Sequence, residues 1–281
     1  MTALHDRIRA ALPAREARWY DGLAPVLAAQ EWSQLARSGI EQVSYGAARV
    51  LRKDPNAVRL GNLMHRVGLG RPVPLERYDA VMLARYGVIG LREPGSNFDP
   101  EYLEAELAHA MLLIDVVPGA GEACRELVWS ITPVDVEGSG YDTGYSDPAL
   151  PFSIFIGAHA AEDCVPTIRL AESVLHEAMH LQLSLIEDSV PLIVGNGEQR
   201  YSPWQRRPRP TQGILHGLYV FRVIQDWLGG LVTDPARAKA DIEHARIRIM
   251  QIEAECSELA NVAASDDLTT DGRILAAALT G

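Results

Sequence analysis

Apolar positions recur with a helical period over most of the chain. Across 10–36 the residues Leu12, Ala17, Trp19, Leu23, Val26, Leu27, Trp32 and Leu35 return every three to four positions, with Pro13 and Pro25 as interruptions. Asp54-Pro55 has the form of a cap followed by proline in the first turn, which predicts a helix over 56–67. Gly70, Pro72 and Pro74 mark a connection, and helical patterns resume over 79–88 and 100–114. The period then changes. Segments 127–136 and 151–157 are short, rich in Val and Ile and bounded by Gly and Pro, so two strands are predicted.

Between those strands, 137–149 carries Gly138, Gly140 and Gly144 with Tyr141 and Tyr145, and reads as a long loop. It is either a mobile connection or a lid that closes over substrate. Helical periodicity returns over 167–186 and stops before Pro191. An irregular stretch, 195–210, holds Pro203, Pro208 and Pro210, and two further helices are predicted over 211–228 and 235–257. The pattern gives a mostly helical α+β fold. In it the 167–186 and 211–228 helices pack on a small antiparallel sheet. Residues 1–97 form a helical N-terminal layer and 98–281 a catalytic region, with one continuous domain as the alternative.

Composition narrows the class. With 281 residues, 47% hydrophobic and 22% charged, the chain is globular in type. A formal net charge of −11 disfavours contact with a phosphate backbone, so no nucleic-acid partner is expected. No apolar run reaches the length a bilayer needs, and Asp6, Arg7 and Arg9 break any signal-peptide pattern at the start. Cys124, Cys164 and Cys256 are too few and too scattered for a disulfide framework. A cytoplasmic protein with reduced thiols, away from membranes, is the expectation.

The chemistry lies in His176-Glu177-Ala178-Met179-His180. Residues four apart share one helix face, so both imidazoles can reach one metal ion and Glu177 can reach a ligand on that metal. A shuffled chain of this composition would show the pattern only about 0.016 times. Val174, Leu175, Met179, Leu181 and Leu183 make the helix largely buried, where two unsatisfied imidazoles would be costly. Satisfied core histidines are the bland alternative; a metal site is the stronger reading.

A metal needs a third ligand. Leu183 and Ile186 stand where the metzincin pattern has glycine and histidine, so that arrangement is excluded. Glu187, Asp188 and Glu198 are available carboxylates, the last in an apparent loop. His216 is better placed, on the next helix and on one face with Tyr219, Val220, Val223 and Trp227. His5, His65 and His244 read as surface residues and His109 as packed, while spacing leaves His159 unplaced. The preceding loop, Tyr201-Ser202-Pro203-Trp204-Gln205-Arg206-Arg207-Pro208-Arg209-Pro210, brings three arginines beside the site. Guanidinium binds carboxylate as a bidentate fork, so this is either a carboxylate site or a solvated basic loop.

Three blocks follow one another: Leu175-His176-Glu177-Ala178-Met179-His180-Leu181, then Tyr201-Ser202-Pro203-Trp204 with Pro208-Arg209-Pro210, then Gly213-Ile214-Leu215-His216-Gly217. In this the sequence resembles the HExxH-type peptide-modification proteins of ribosomal peptide natural product (RiPP) clusters, viewed as 2-oxoglutarate-dependent iron peptide β-hydroxylases. The close likeness runs from Leu170 to Trp227. The family pattern has arginine just after the tryptophan and an acidic residue before Pro-Arg-Pro; Gln205 and Arg207 stand there in this chain.

The resemblance implies an oxidoreductase, a dioxygenase that hydroxylates a side-chain β-carbon in a precursor peptide. His176, His180 and His216 would hold Fe(II), with a carboxylate ligand from elsewhere as the alternative. 2-Oxoglutarate would chelate the iron and O2 would be consumed. Arg209 would pair the distal carboxylate, and Arg207, Tyr201 and Ser202 are further cosubstrate contacts. Glu177 would handle protons beside the metal. A second reading is a zinc metallopeptidase with Glu177 as general base; a third is a peptide-binding module around a structural metal.

Overall fold

A computed structural model describes residues 2–38, 64–65, 67–71, 73–76, 84–135, 144–158, 167–195 and 197–281. Helix α1 (Thr2–Ala11) and helix α2 (Ala24–Ser38) divide the first apolar stretch, and the break between them contains Pro13. Pro25 falls in the first turn of α2, where a missing N–H costs nothing. Strand β1 (Met64–His65) pairs antiparallel with β2 (Val73–Pro74). The helix expected over 56–67 therefore does not run to its end; 51–63 lie outside the described residues. Of the helix expected over 79–88, residues 84–86 are helical and Gly87–Ile89 form a 3₁₀ turn, while 79–83 are also outside them.

Helix α3 (Pro100–Ile114) starts as its sequence dictates, with Pro100 at the first position and Asp99 accepting from the Glu101 and Tyr102 N–H groups at 2.9 and 3.2 Å. A short helix that periodicity did not reveal, α4 (Ala120–Leu127), leads into strand β3 (Ser130–Val134). Strands β4 (Gly144–Ser146) and β5 (Ser153–Gly157) complete a sheet of order β3-β5-β4.

The expected strands 127–136 and 151–157 are thus present, but they run parallel, Ile131 opposite Ile154, and not antiparallel. The intervening 135–152 is long enough to return the chain to the starting end, as a parallel pair requires. Its described end contributes β4, antiparallel to β5 with Tyr145 opposite Phe155. Every residue of β3 and β5 is buried, and the polar Ser130 and Ser153 meet each other through their hydroxyls at 2.8 Å.

Helix α5 (Thr167–Ser189) carries the two histidines four apart and ends two residues before Pro191. The irregular stretch expected over 195–210 is in part a hairpin, β6 (Gln199–Ser202) with β7 (Arg207–Pro210), Arg200 opposite Arg209. Helix α6 (Thr211–Thr233), α7 (Lys239–Ser257) and a further helix, α8 (Thr270–Thr280), follow. The architecture is α+β and mostly helical. No described helix is long and apolar enough to cross a membrane.

Two compact units are present, Met1–Leu27 with Gln182–Gly281, and Ala28–Leu181. In the second, Trp32 stacks on Phe152 (4.1 Å between centroids) and meets Trp129 edge-on, while Tyr86, Tyr145 and Phe155 form a separate aromatic cluster. In the first, Gln182 donates to Tyr219 Oη at 2.7 Å and to the Trp19 carbonyl at 3.0 Å, and Arg18 pairs with Asp226 at 2.6 Å. The last turns of α5 run antiparallel to α6, since Gln182 meets Tyr219 whereas Glu187 meets Gln212 and His216.

Candidate functional site

His176 and His180 project from successive turns of α5, and their rings meet edge-on with centroids 4.8 Å apart. Their Nε2 atoms are 3.1 Å apart. Two imidazole nitrogens bound to one ion at about 2.1 Å, with an angle of about 90–110°, would be separated by about 3.0–3.4 Å. The pair fits a shared cation. The same distance suits a proton shared between the two rings, which is the alternative such a pair supports.

Glu177 is 3% exposed and lies between the apolar body of α5 and strand β4. Its Oε2 accepts the Ser146 hydroxyl at 2.8 Å, and its Oε1 lies 4.0 Å from His176 Nε2. Burial pushes the carboxyl up to about 8, against the opposing pull of the Ser146 hydrogen bond. A Cβ on Gly144 would collide with Glu177 Oε1 and stand 3.1 Å from its Cγ and Cδ. Part of the expected loop 137–149 is therefore a strand seated on the glutamate; 136–143 lie outside the described residues.

In the other unit, Glu187 Oε2 is 3.0 Å from His216 Nε2 and accepts from Gln212 Nε2 at 3.1 Å. Gln212 and His216 are four apart on α6, so one carboxylate oxygen receives both. His216 is half-buried on the face that carries Tyr219, Val220, Val223 and Trp227 into the core. Among the described residues, no three His, Cys, Asp or Glu side chains are gathered as a metal-holding group. His109 is exposed rather than packed, 3.6 Å from Glu106, and His159 lies outside the described residues. Glu198 pairs with Arg200 at 2.5 Å and accepts from Ser265, so it is engaged elsewhere.

The arginine loop is built on α6. Trp204 lies over Gly217, where a Cβ would come 2.6 Å from its Cζ3, and stacks on Phe221 at 4.7 Å. Its Nε1 donates to Glu255 at 2.9 Å. Arg209 lies over Gly213, with Nε and Nη2 2.9 and 3.0 Å from the position of a Cβ. Glycine inside a helix costs about 1 kcal/mol relative to alanine, and two such residues let the hairpin approach the helix backbone. Ser202 is buried and shapes the turn: its Oγ accepts from Gln205 N at 3.2 Å and its carbonyl from Arg206 N at 2.8 Å. Tyr201 and Arg207 are exposed, and Arg207 donates to Gln205 at 3.4 Å.

Arg209 is half-buried and has no ion-pair partner among the described residues. It sits beside the start of α6, whose N-cap is Pro210 and makes no side-chain capping bond. Uncapped N–H groups and a guanidinium together form an environment that favours a carboxylate.

Sequence reasoning did not single out Ser146 as a partner of Glu177 or Gln212 as a partner of Glu187. A two-residue alternation in Gly144-Tyr145-Ser146 was the available signal for the first, since it places Gly144 and Ser146 on one face of a strand. No protein-family model matches the chain, and no curated protein matches it.

Proposed function

We propose that the chain is an iron- and 2-oxoglutarate-dependent oxygenase that hydroxylates a side-chain β-carbon in a peptide. The observation that carries the reading is the convergence of His176 Nε2 and His180 Nε2 at 3.1 Å beside a buried, hydrogen-bonded Glu177. His176 and His180 are the first two ligands, and the resemblance assigns His216 as the third. When bound, the iron would supply oxidation of a C–H bond coupled to decarboxylation of 2-oxoglutarate.

The remaining roles belong to side chains of this chain. Arg209, fixed over Gly213 at the start of α6, binds the distal carboxylate of the cosubstrate. Ser202 keeps the hairpin turn in shape, and Trp204 anchors it through Phe221 and Glu255. Glu177 holds or releases a proton at Oε1, the oxygen that Ser146 leaves uncommitted.

A zinc peptidase is the second reading, favoured by that same oxygen 4.0 Å from His176 Nε2, where a general base for metal-bound water would stand. It gives Arg209 no task. Metal content tests the shared premise: His176→Ala and His180→Ala are expected to abolish retention of Fe(II) under anaerobic dialysis. Wild-type protein that retains neither Fe(II) nor zinc would end both readings.

A further inference from the structure

Besides pairing with β5, strand β4 turns one face away from the histidine helix and the other toward it. Tyr145 points to one side, packed against Tyr86 and Phe155 with centroids 6.0 and 5.7 Å away. Just after the strand, Asp147 accepts from Tyr86 Oη at 3.0 Å and Arg85 Nη2 at 2.7 Å, and caps the Ala149 N–H at 2.8 Å. These contacts fix the strand without help from α5. Gly144 and Ser146, two residues apart, face the other way, and both meet Glu177.

The geometry points to Gly144 and Ser146 as the positioning residues of Glu177. Ser146 binds Oε2, and the missing side chain of Gly144 leaves the space that Oε1 occupies. The carboxylate is thereby turned so that one oxygen is committed to the strand and the other is presented toward His176, 4.0 Å from its Nε2. A carboxylate free to rotate would exchange the two oxygens and lose that distinction. Gly144 has ordinary backbone angles, so its lack of a side chain is required by the approach of Glu177 and not by a turn. This role rests on the metal-site reading above and holds equally for an oxygenase and a peptidase.

Two variants disturb the seat in opposite ways. Ser146→Ala removes the tether, and Gly144→Ala places a methyl group against Oε1. Both should fold, because the Tyr145 and Asp147 anchors remain; thermal unfolding checks this. The first readout uses metal-free protein labelled with 13C at the glutamate carboxyl carbons, in which the Glu177 signal is identified by its loss in Glu177→Gln. Ser146→Ala and Gly144→Ala are each expected to shift that signal, and Ser146→Thr, which keeps the hydroxyl, to restore it toward the wild-type position. The second readout is the visible spectrum of bound Co(II), expected to change in both variants while Co(II) affinity stays near wild type.

An unshifted Glu177 signal overturns the cradle. A shifted signal with an unchanged Co(II) spectrum overturns the positioning role and leaves a structural bond. Wild-type protein that binds no Co(II) overturns the metal reading and the role together, and the carboxyl signal separates that result from a mistaken contact.

Discussion

The indole of Trp204 lies across Gly217, in the space that any side chain at that position would need. The hairpin that carries Arg209 is held to α6 at this crossing and at Gly213, where the Arg209 guanidinium rests. Gly217→Ala gains about 1 kcal/mol of helix propensity, but overpacking a filled contact costs about 1–3 kcal/mol. The second effect should win. The variant is expected to melt a few degrees lower and to bind 2-oxoglutarate more weakly, as measured by thermal unfolding and calorimetry. An unchanged melting temperature with unchanged affinity would show that the hairpin does not depend on this contact.

Three sequence blocks that looked separate form, in two cases, one object. Ser202-Pro203-Trp204 with Pro208-Arg209-Pro210 and Gly213 to Gly217 are a hairpin and the helix turns on which it rests. Helices α5 and α6 were legible because long apolar stripes leave little else for the chain to do. The hairpin was not, because Arg207-Pro208-Arg209-Pro210 lacks every compositional mark of a strand; proline is tolerated there in a two-stranded pair. The parallel course of β3 and β5 was hidden for another reason. Local sequence specifies a buried strand, while its direction depends on where a long connection returns. Ser146 and Glu177 are 31 residues apart, and no local pattern records a contact formed by packing.

Glu187 Oε2 lies 3.0 Å from His216 Nε2, so under the proposed function it is the carboxylate that orients the third histidine. A carboxylate that positions a liganding histidine typically contributes about 10–100-fold to metal affinity. Glu187→Ala is therefore expected to weaken Co(II) binding by about that factor, measured by competition with a chelating dye. Unaltered affinity would remove His216 from the ligand set and leave its pairing with Glu187 purely structural.

The two described cysteines are sealed from solvent. Burial pushes the Cys124 thiol up to about 12 and the Cys256 thiol up to about 11. At pH 8 neither should be alkylated by iodoacetamide in the folded protein, and both should be modified in denaturant, as read by mass spectrometry. A thiol raised in the folded state contributes stability in full below its unfolded value near 9, and that contribution is lost as pH rises through 11–12. The stability of the protein is thus expected to fall above about pH 9, and Cys124→Ala should make the fall shallower. Rapid alkylation of Cys124 at pH 8 would contradict this.

The binding of 2-oxoglutarate to iron held by the chain is the direct test. Protein loaded anaerobically with Fe(II) is titrated with 2-oxoglutarate while the visible metal-to-ligand charge-transfer absorption is followed. The band is expected to appear and saturate in the wild type, to require more 2-oxoglutarate in Arg209→Ala, and to be absent in His176→Ala. No band in iron-loaded wild-type protein, with zinc instead retained tightly through purification, would contradict the oxygenase and leave the peptidase.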